Sequence, residues 1–320
     1  MTPPAKRARL FFLASAVAAL LSAAPLLAED GGTRAEAPAA RPPASASATA
    51  AGPAAAAPAP HVEGEPDEAD HPPAPTPTPK APVIVKQTAV MKDGMVRIAG
   101  GRFTMGTDDK KAPPSERPAR VVTVGPFWID KTEVTVGAYK ACVDRGACPR
   151  PVKSSSSCTF DLGDPLLPVS CLPWTSAQAY CSAMSKRLPR EVEWEMAARG
   201  TSPIRYPWGG ATASGCGGAV TLATDSSQRS CGGKKPARVG THPAGASPYG
   251  ILDMSGNVEE WVADWYGEGV SELSPRAGAS HVLRGGGWLS QPSQSKTTSR
   301  NWGSAREMGP NVGFRCARDE

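Results

Sequence analysis

Ser290 and Ser295 stand five residues apart in the stretch "LRGGGWLSQPSQSKTTSR", Leu283 to Arg300, behind three glycines and a tryptophan. A serine becomes a nucleophile only beside a base and an orienting acid, and His281 or His242 with Asp264 are the groups that could be nominated. No G-x-S-x-G elbow accompanies them, so hydroxyls lining a binding groove are the simpler expectation. Arg284, Arg300 and Arg315 flank the stretch and could grip a carboxylate or sulfate through paired contacts. For Arg315 a structural ion pair with an acid such as Glu193 or Asp264 is the stronger expectation. Trp288 and Trp302 would wall the groove, although tryptophans in a loop-rich domain commonly serve the core.

Metal chemistry has few candidate ligands. Of four histidines, His61 and His71 lie near the N-terminus, which leaves His242 and His281. No C-x-x-C pattern occurs among the eight cysteines, all of which lie beyond residue 140. Spacing suggests three local disulfides, Cys142–Cys148, Cys158–Cys171 and Cys216–Cys231, leaving Cys181 to reach Cys316. An even cysteine count behind a leader fits an oxidising compartment, so a secreted or periplasmic location is expected.

That leader is "MTPPAKRARLFFLASAVAALLSAAPLLA", residues 1–28, with a basic start, an apolar run and small residues before a cleavage point expected after Ala28. An uncleaved anchor over Leu10–Leu27 is the alternative, and only then would a membrane be a partner. Residues 29–89 are rich in Ala, Pro, Ser and Thr, with nothing to bury, and read as a disordered tether. The globular domain is therefore expected over residues 90–320. The chain carries a net +5; the leader holds +3 and residues 29–87 hold −4, which leaves the domain at +6. That charge is spread without a basic cluster and does not indicate nucleic acid.

The elements that must position the candidate residues can be read by periodicity. "GMVRIAGGRFTMGT" alternates around Gly-Gly and predicts a hairpin over Met95–Met105, and "ARVVTVGPFWID" predicts a second strand region. Val136, Tyr139 and Val143 share a helical face, with Thr135 as N-cap and Gly146 as stop. Ala177, Tyr180, Cys181 and Met184 define a second helix that turns Cys181 inward. A third should begin with Pro189 in its first turn and end at Gly200, with Val192 and Met196 one turn apart. Beyond Gly200 turn signals dominate. The class is α+β, with long loops that tend to form binding surface.

The series "RIAGGRFTMGT", "WIDKTEVT", "CLPWTSAQAYC", "KRLPREVEWEMAARG", "YPWGG", "SPYGILDMSGNVEEWVADWY", "VLRGGGW" and "NVGFRCAR" closely resembles the formylglycine-generating-enzyme, or sulfatase-modifying factor, domain from Met95 to Arg318. The resemblance implies a compact loop-rich fold, grouped with C-type lectin-like domains and tied by disulfides. It also implies a bridge from the "AYC" helix to "GFRC", in agreement with Cys181–Cys316. Active members hold copper(I) on two cysteine thiolates and use O2 to oxidise a sulfatase cysteine to formylglycine. The matching positions here are Ser290 and Ser295, whose hard, high-pKa hydroxyls do not suit copper(I). The family's serine after Gly-Gly is Gly287, and its tryptophan in "GNxWEW" is Glu259. Copper is thus not expected. Iron, used by some relatives through histidines of an additional helical domain, is not expected either.

The resemblance further implies a structural calcium on the Asp253 carboxylate, the Gly256 and Val258 carbonyls and the Glu260 carboxylate, a hard oxygen set suited to that ion. A turn capped by Asp253 is the plainer alternative. The family's other calcium loop has no recognisable counterpart near "CGGAVTLATD". The leading expectation is a non-catalytic module that binds a peptide or small ligand; a formylglycine-generating oxidase and a cell-envelope structural or assembly factor are the alternatives.

Overall fold

The computed structural model describes residues 89–210, 218–221, 233, 235–267 and 280–320. The chain divides into two units, Met1–Pro73 and Ala74–Glu320, and every described residue belongs to the second. The expected leader, most of the tether and the pair Cys216–Cys231 lie outside the described residues.

The first strands are Val90–Lys92 (β1), Met95–Ile98 (β2), Gly101–Met105 (β3), Arg120–Val124 (β4) and Phe127–Asp130 (β5). The predicted hairpin over Met95–Met105 does not form. β2 pairs with β5 and β3 with β4, all antiparallel, and one register runs from Met95↔Asp130 to Met105↔Arg120. The Gly-Gly is a corner in a long bent ribbon. Gly100 takes φ +74, and a Cβ there would lie 2.4 Å from the Val124 carbonyl, so only glycine fits this close approach. β1 and the C-terminal strand Ala317–Asp319 (β10) complete a sheet of order β1-β2-β5-β10.

Three helices follow as the periodicity predicts: Val136–Asp144 (α1), Trp174–Ala183 (α2) and Glu191–Arg199 (α3). Thr135 caps α1 by accepting from the Ala138 amide at 3.2 Å. In α3 the cap is Arg190, which puts Pro189 one residue outside the helix rather than in its first turn. α3 is buried nearly all round, and its Trp194, Met196, Ala197 and Ala198 join Phe103, Ile129 and Val262 in one core cluster. Burying side chains of this size stabilises by roughly 1.5–3 kcal/mol each. A second cluster gathers Tyr139, Tyr180, Trp261 and Phe314 around Cys181–Cys316.

The remaining strands, Glu259–Trp265 (β6), Ser280–Arg284 (β7), Arg300–Ser304 (β8) and Val312–Phe314 (β9), form a sheet of order β8-β7-β6-β9. β9 lies parallel to β6, with Glu259 opposite Val312. The disulfides Cys142–Cys148, Cys158–Cys171 and Cys181–Cys316 are all formed, the last spanning 135 residues of sequence. Among the described residues no helix is long and apolar enough to cross a membrane.

Candidate functional site

The site is built outward from α3, whose three carboxylates are buried and therefore need partners. Glu191 is paired by Arg300, with Nε to Oε1 at 2.7 Å and Nη2 to Oε2 at 3.0 Å. Glu195 receives Arg199 at 2.7 Å and Arg284 at 2.5 Å. Arg284 was expected at a groove; it is instead fully buried, and its guanidinium also binds the carbonyls of Thr297, Thr298 and Ser299. It acts as an internal clamp on the loop after Ser295. Arg300 does reach a cleft wall, and its face lies 5.1 Å from the Tyr266 ring centroid.

That cleft has a volume of about 370 Å³. One side is Lys111, Pro113 and Glu116; the other is Ser290, Ser293, Gln294 and Lys296; Glu259, Ser299, Arg300 and Asn301 complete the lining. The Ser290 hydroxyl accepts from the Gly287 amide at 3.0 Å and faces the Asn311 amide nitrogen at 3.4 Å, so it serves a turn. Ser295 is completely buried and its hydroxyl has no partner. A Cβ on Gly286 would lie 2.5 Å from that hydroxyl. At Gly287 a Cβ would lie 2.3 Å from Asn311 Oδ1, so Asn311 leaves no room for a side chain there. Lys296 and Glu116 pair at 2.9 Å, tying the two walls together.

Glu259 is the exception in this cleft. It is 7% exposed, and among the described residues its carboxylate bonds only the Asn301 side-chain amide, at 3.1 Å. Burial pushes its carboxyl up to about 7, with Glu307 nearby acting in the same direction and the Asn301 bond opposing. Asn301, Asn311, Glu116 and Lys296 carried no sequence signal of their own; only the fold brings them here.

The groups nominated for serine catalysis do not converge. His281 is stacked between Trp174 and Trp265, each 3.8 Å from its ring centroid, and burial lowers its pKa. The Asp264 carboxylate accepts from the Glu191 amide at 2.6 Å, at the start of α3, and His281 meets only its backbone carbonyl. His242 lies beside Thr241 on a distant turn, 3.2 Å from its hydroxyl. Trp288 is buried, with its indole donating to the Pro310 carbonyl at 3.1 Å, and so belongs to the interior rather than to a groove wall. Trp302 is 55% exposed on β8 beside Tyr266, outside the cleft lining.

Arg315 is in an ion pair as expected, but its partner is Glu260, not Glu193 or Asp264. Both bonds are 2.7 Å, and Trp194 donates to the same carboxylate at 2.8 Å. Glu193 is held by Arg187 and Arg190. Around the expected calcium set, Asp253 has φ +60 and accepts from the Gly240 amide at 2.6 Å. Gly256 has φ +83, and a Cβ there would sit 2.6 Å from the Val220 carbonyl. A third carboxylate, Glu133, adjoins them: Oε1 accepts from Asn257 at 3.0 Å while Oε2 is buried without a partner. Burial, then Asp253, raises the Glu133 pKa, Glu260 adds to this, and Arg315 opposes it. Three buried carboxylates thus share one arginine.

The chain matches the family described as "Sulfatase-modifying factor enzyme 1-like domain" over residues 80–320. It is 30% identical over 248 residues to the serine/threonine-protein kinase pkn1 of Chlamydia caviae, covering 70% of this chain but only 38% of that protein. It is 31% identical to the inactive C-alpha-formylglycine-generating enzyme 2 of Bos taurus, over 70% of this chain and 87% of that one. It is 29% identical to the formylglycine-generating enzyme of Thermomonospora curvata, over 71% and 93% respectively. The solved structure of PvdO from Pseudomonas aeruginosa aligns with TM-score 0.60 and 27% identity, covering 71% of this chain and 94% of that one. The family match over residues 80–320, the related sequences and the shared fold agree, and this chain belongs to the sulfatase-modifying factor (FGE-sulfatase) family.

Proposed function

We propose that this chain is a non-catalytic member of its family, secreted or periplasmic, that uses the cleft around Glu259 and Ser290 to bind a peptide or small ligand. The observation that carries the reading is the donor chemistry. Where the resemblance puts two copper thiolates, the chain has Ser290 and Ser295, one hydroxyl committed to a turn and the other sealed beneath Gly286. Every described cysteine is in a disulfide. Hydroxyls neither ionise near neutral pH nor favour a soft cation, so these residues do not fit copper(I). The bovine relative named as inactive supports the same reading, and the disulfides support an oxidising compartment.

The test is incubation of the purified chain with copper(I), O2 and a Cys-x-Pro-x-Arg peptide, with mass spectrometry of the cysteine. No conversion is expected; sustained turnover would instead make the chain a formylglycine-generating oxidase. Changing Ser290 and Ser295 together to cysteine should not suffice for activity, because Gly287 and Glu259 also differ from the family's site and Asn311 fills the space at 287.

We also propose a structural calcium ion at the Asp253–Glu260 turn. The Asp253 and Glu260 carboxylates and the Gly256 and Val258 carbonyls would hold it, and the unpartnered Glu133 oxygen supports a need for added positive charge. Bound there, the ion would supply charge neutralisation and a fixed turn, not chemistry. Millimolar calcium should raise the melting temperature and EGTA should lower it. Identical melts with and without the ion would sink the assignment.

A further inference from the structure

The cleft charges are not all paired locally, and the unpaired one defines what would fit. Lys296 is neutralised by Glu116 and Arg300 by Glu191. Lys111 is exposed at the rim, where water screens it. Glu259 is left with one bond from a neutral amide, in surroundings that exclude most solvent. Its Oε1 accepts nothing within the described residues. A carboxylate so placed is poorly compensated by the protein itself.

A second, independent feature lies in the same lining. Ser299 is 7% exposed, and its hydroxyl is buried without a partner. Its backbone is fixed, because the Ser299 carbonyl is held by the buried Arg284. That hydroxyl is closed to solvent within a rigid wall, and what the cleft offers a ligand is the Glu259 carboxylate oxygen, able to accept hydrogen bonds. Ammonium brings three donors and guanidinium five, in each case with the charge that Glu259 lacks.

Resting on the reading of this cleft as a ligand site, we propose that its occupant is a peptide presenting a basic side chain, lysine or arginine, whose cationic head bonds to Glu259. The family's tryptophan at position 259 would offer no carboxylate, so this specificity would be particular to chains that carry an acid there. The charge also decides against acidic peptides, for which the only unpaired cation in the described lining is Lys111 at the rim.

The experiment is calorimetric titration of the full chain at pH 8 with three acetylated and amidated tripeptides, Gly-Lys-Gly, Gly-norleucine-Gly and Gly-Glu-Gly. The lysine peptide is expected to bind about 10- to 100-fold more tightly than its norleucine isostere, the range of a charge-assisted hydrogen bond. Glu259→Gln should bring the lysine peptide to the norleucine level while leaving the melting temperature and circular dichroism those of a folded chain. The contrast among the three peptides on the unaltered chain decides the matter by itself if Glu259→Gln fails to fold. Equal binding of the lysine and norleucine peptides, or preference for the glutamate peptide, overturns the basic-side-chain inference but leaves the ligand-binding reading standing. If none of the three peptides binds, both are overturned for peptides.

Discussion

At the scale of single residues, the two serines that first attract notice have unequal roles. Ser290 stabilises a turn and keeps its proton available to the cleft, whereas the Ser295 hydroxyl is buried and bonded to nothing. Removing an unsatisfied buried hydroxyl relieves a desolvation cost instead of breaking a bond. Ser295→Ala should therefore be neutral or stabilising by up to about 1 kcal/mol in urea titration. A loss above that size would mean the hydroxyl is satisfied. Arg284 predicts the opposite behaviour. Arg284→Met leaves Glu195 with Arg199 and the Gly106 amide but frees three carbonyls, and should cost roughly 3–5 kcal/mol, read as a lower urea midpoint.

At the scale of elements, α3 organises the site. Its apolar face enters the core, while Glu191, Glu193 and Glu195 draw in arginines from the segment before it and from β7 and β8. Burial alone would raise the Glu193 carboxyl, but hydrogen bonds from Arg187 and Arg190 outweigh it and hold its pKa below the ordinary glutamate value. The sign follows: its stabilisation is complete above the unfolded-state value near 4.5 and fades as pH falls through the lower folded-state value. Glu193→Gln should lower the melting temperature at pH 7 and flatten its dependence on pH in the acid range. A variant whose acid limb parallels the parent's would show that other carboxylates carry the effect. The helix was legible from the 3.6-residue period, but its arginine partners were not, since charge alone does not say which acid each will meet. Arg315 illustrates this by choosing Glu260.

At the scale of the whole molecule, the Cys181–Cys316 bridge ties α2 to the C-terminal end of the chain across 135 residues, whereas Cys142–Cys148 closes only six. If chain entropy governs, removing the first should cost roughly 5 kcal/mol and the second roughly 2. Paired Cys→Ser variants compared by reversible denaturation would check the ranking, and equal losses would point to native packing instead of loop closure. The bridge also anchors the second core cluster, around Tyr139, Tyr180 and Phe314, so its loss should weaken that cluster before the one around Trp194.

By itself, the sequence determined the three helices, the family and the two local bridges from period, ordered anchors and short spacing, and it reached Cys181–Cys316 as the remaining pair and through the resemblance. The resemblance also pointed to Ser290, Ser295, Gly287 and Glu259, and on these positions the proposed loss of oxidase chemistry rests. Tertiary structure alone decided that Gly100–Gly101 is a corner and not a hairpin, since that depends on the Val124 carbonyl arriving from a distant strand. It likewise withdrew Arg284 and Trp288 from the groove and left Glu259 in the cleft without a cation partner among the described residues. Those outcomes turn on burial and on which charges meet, and both are properties of packing between segments far apart in the chain.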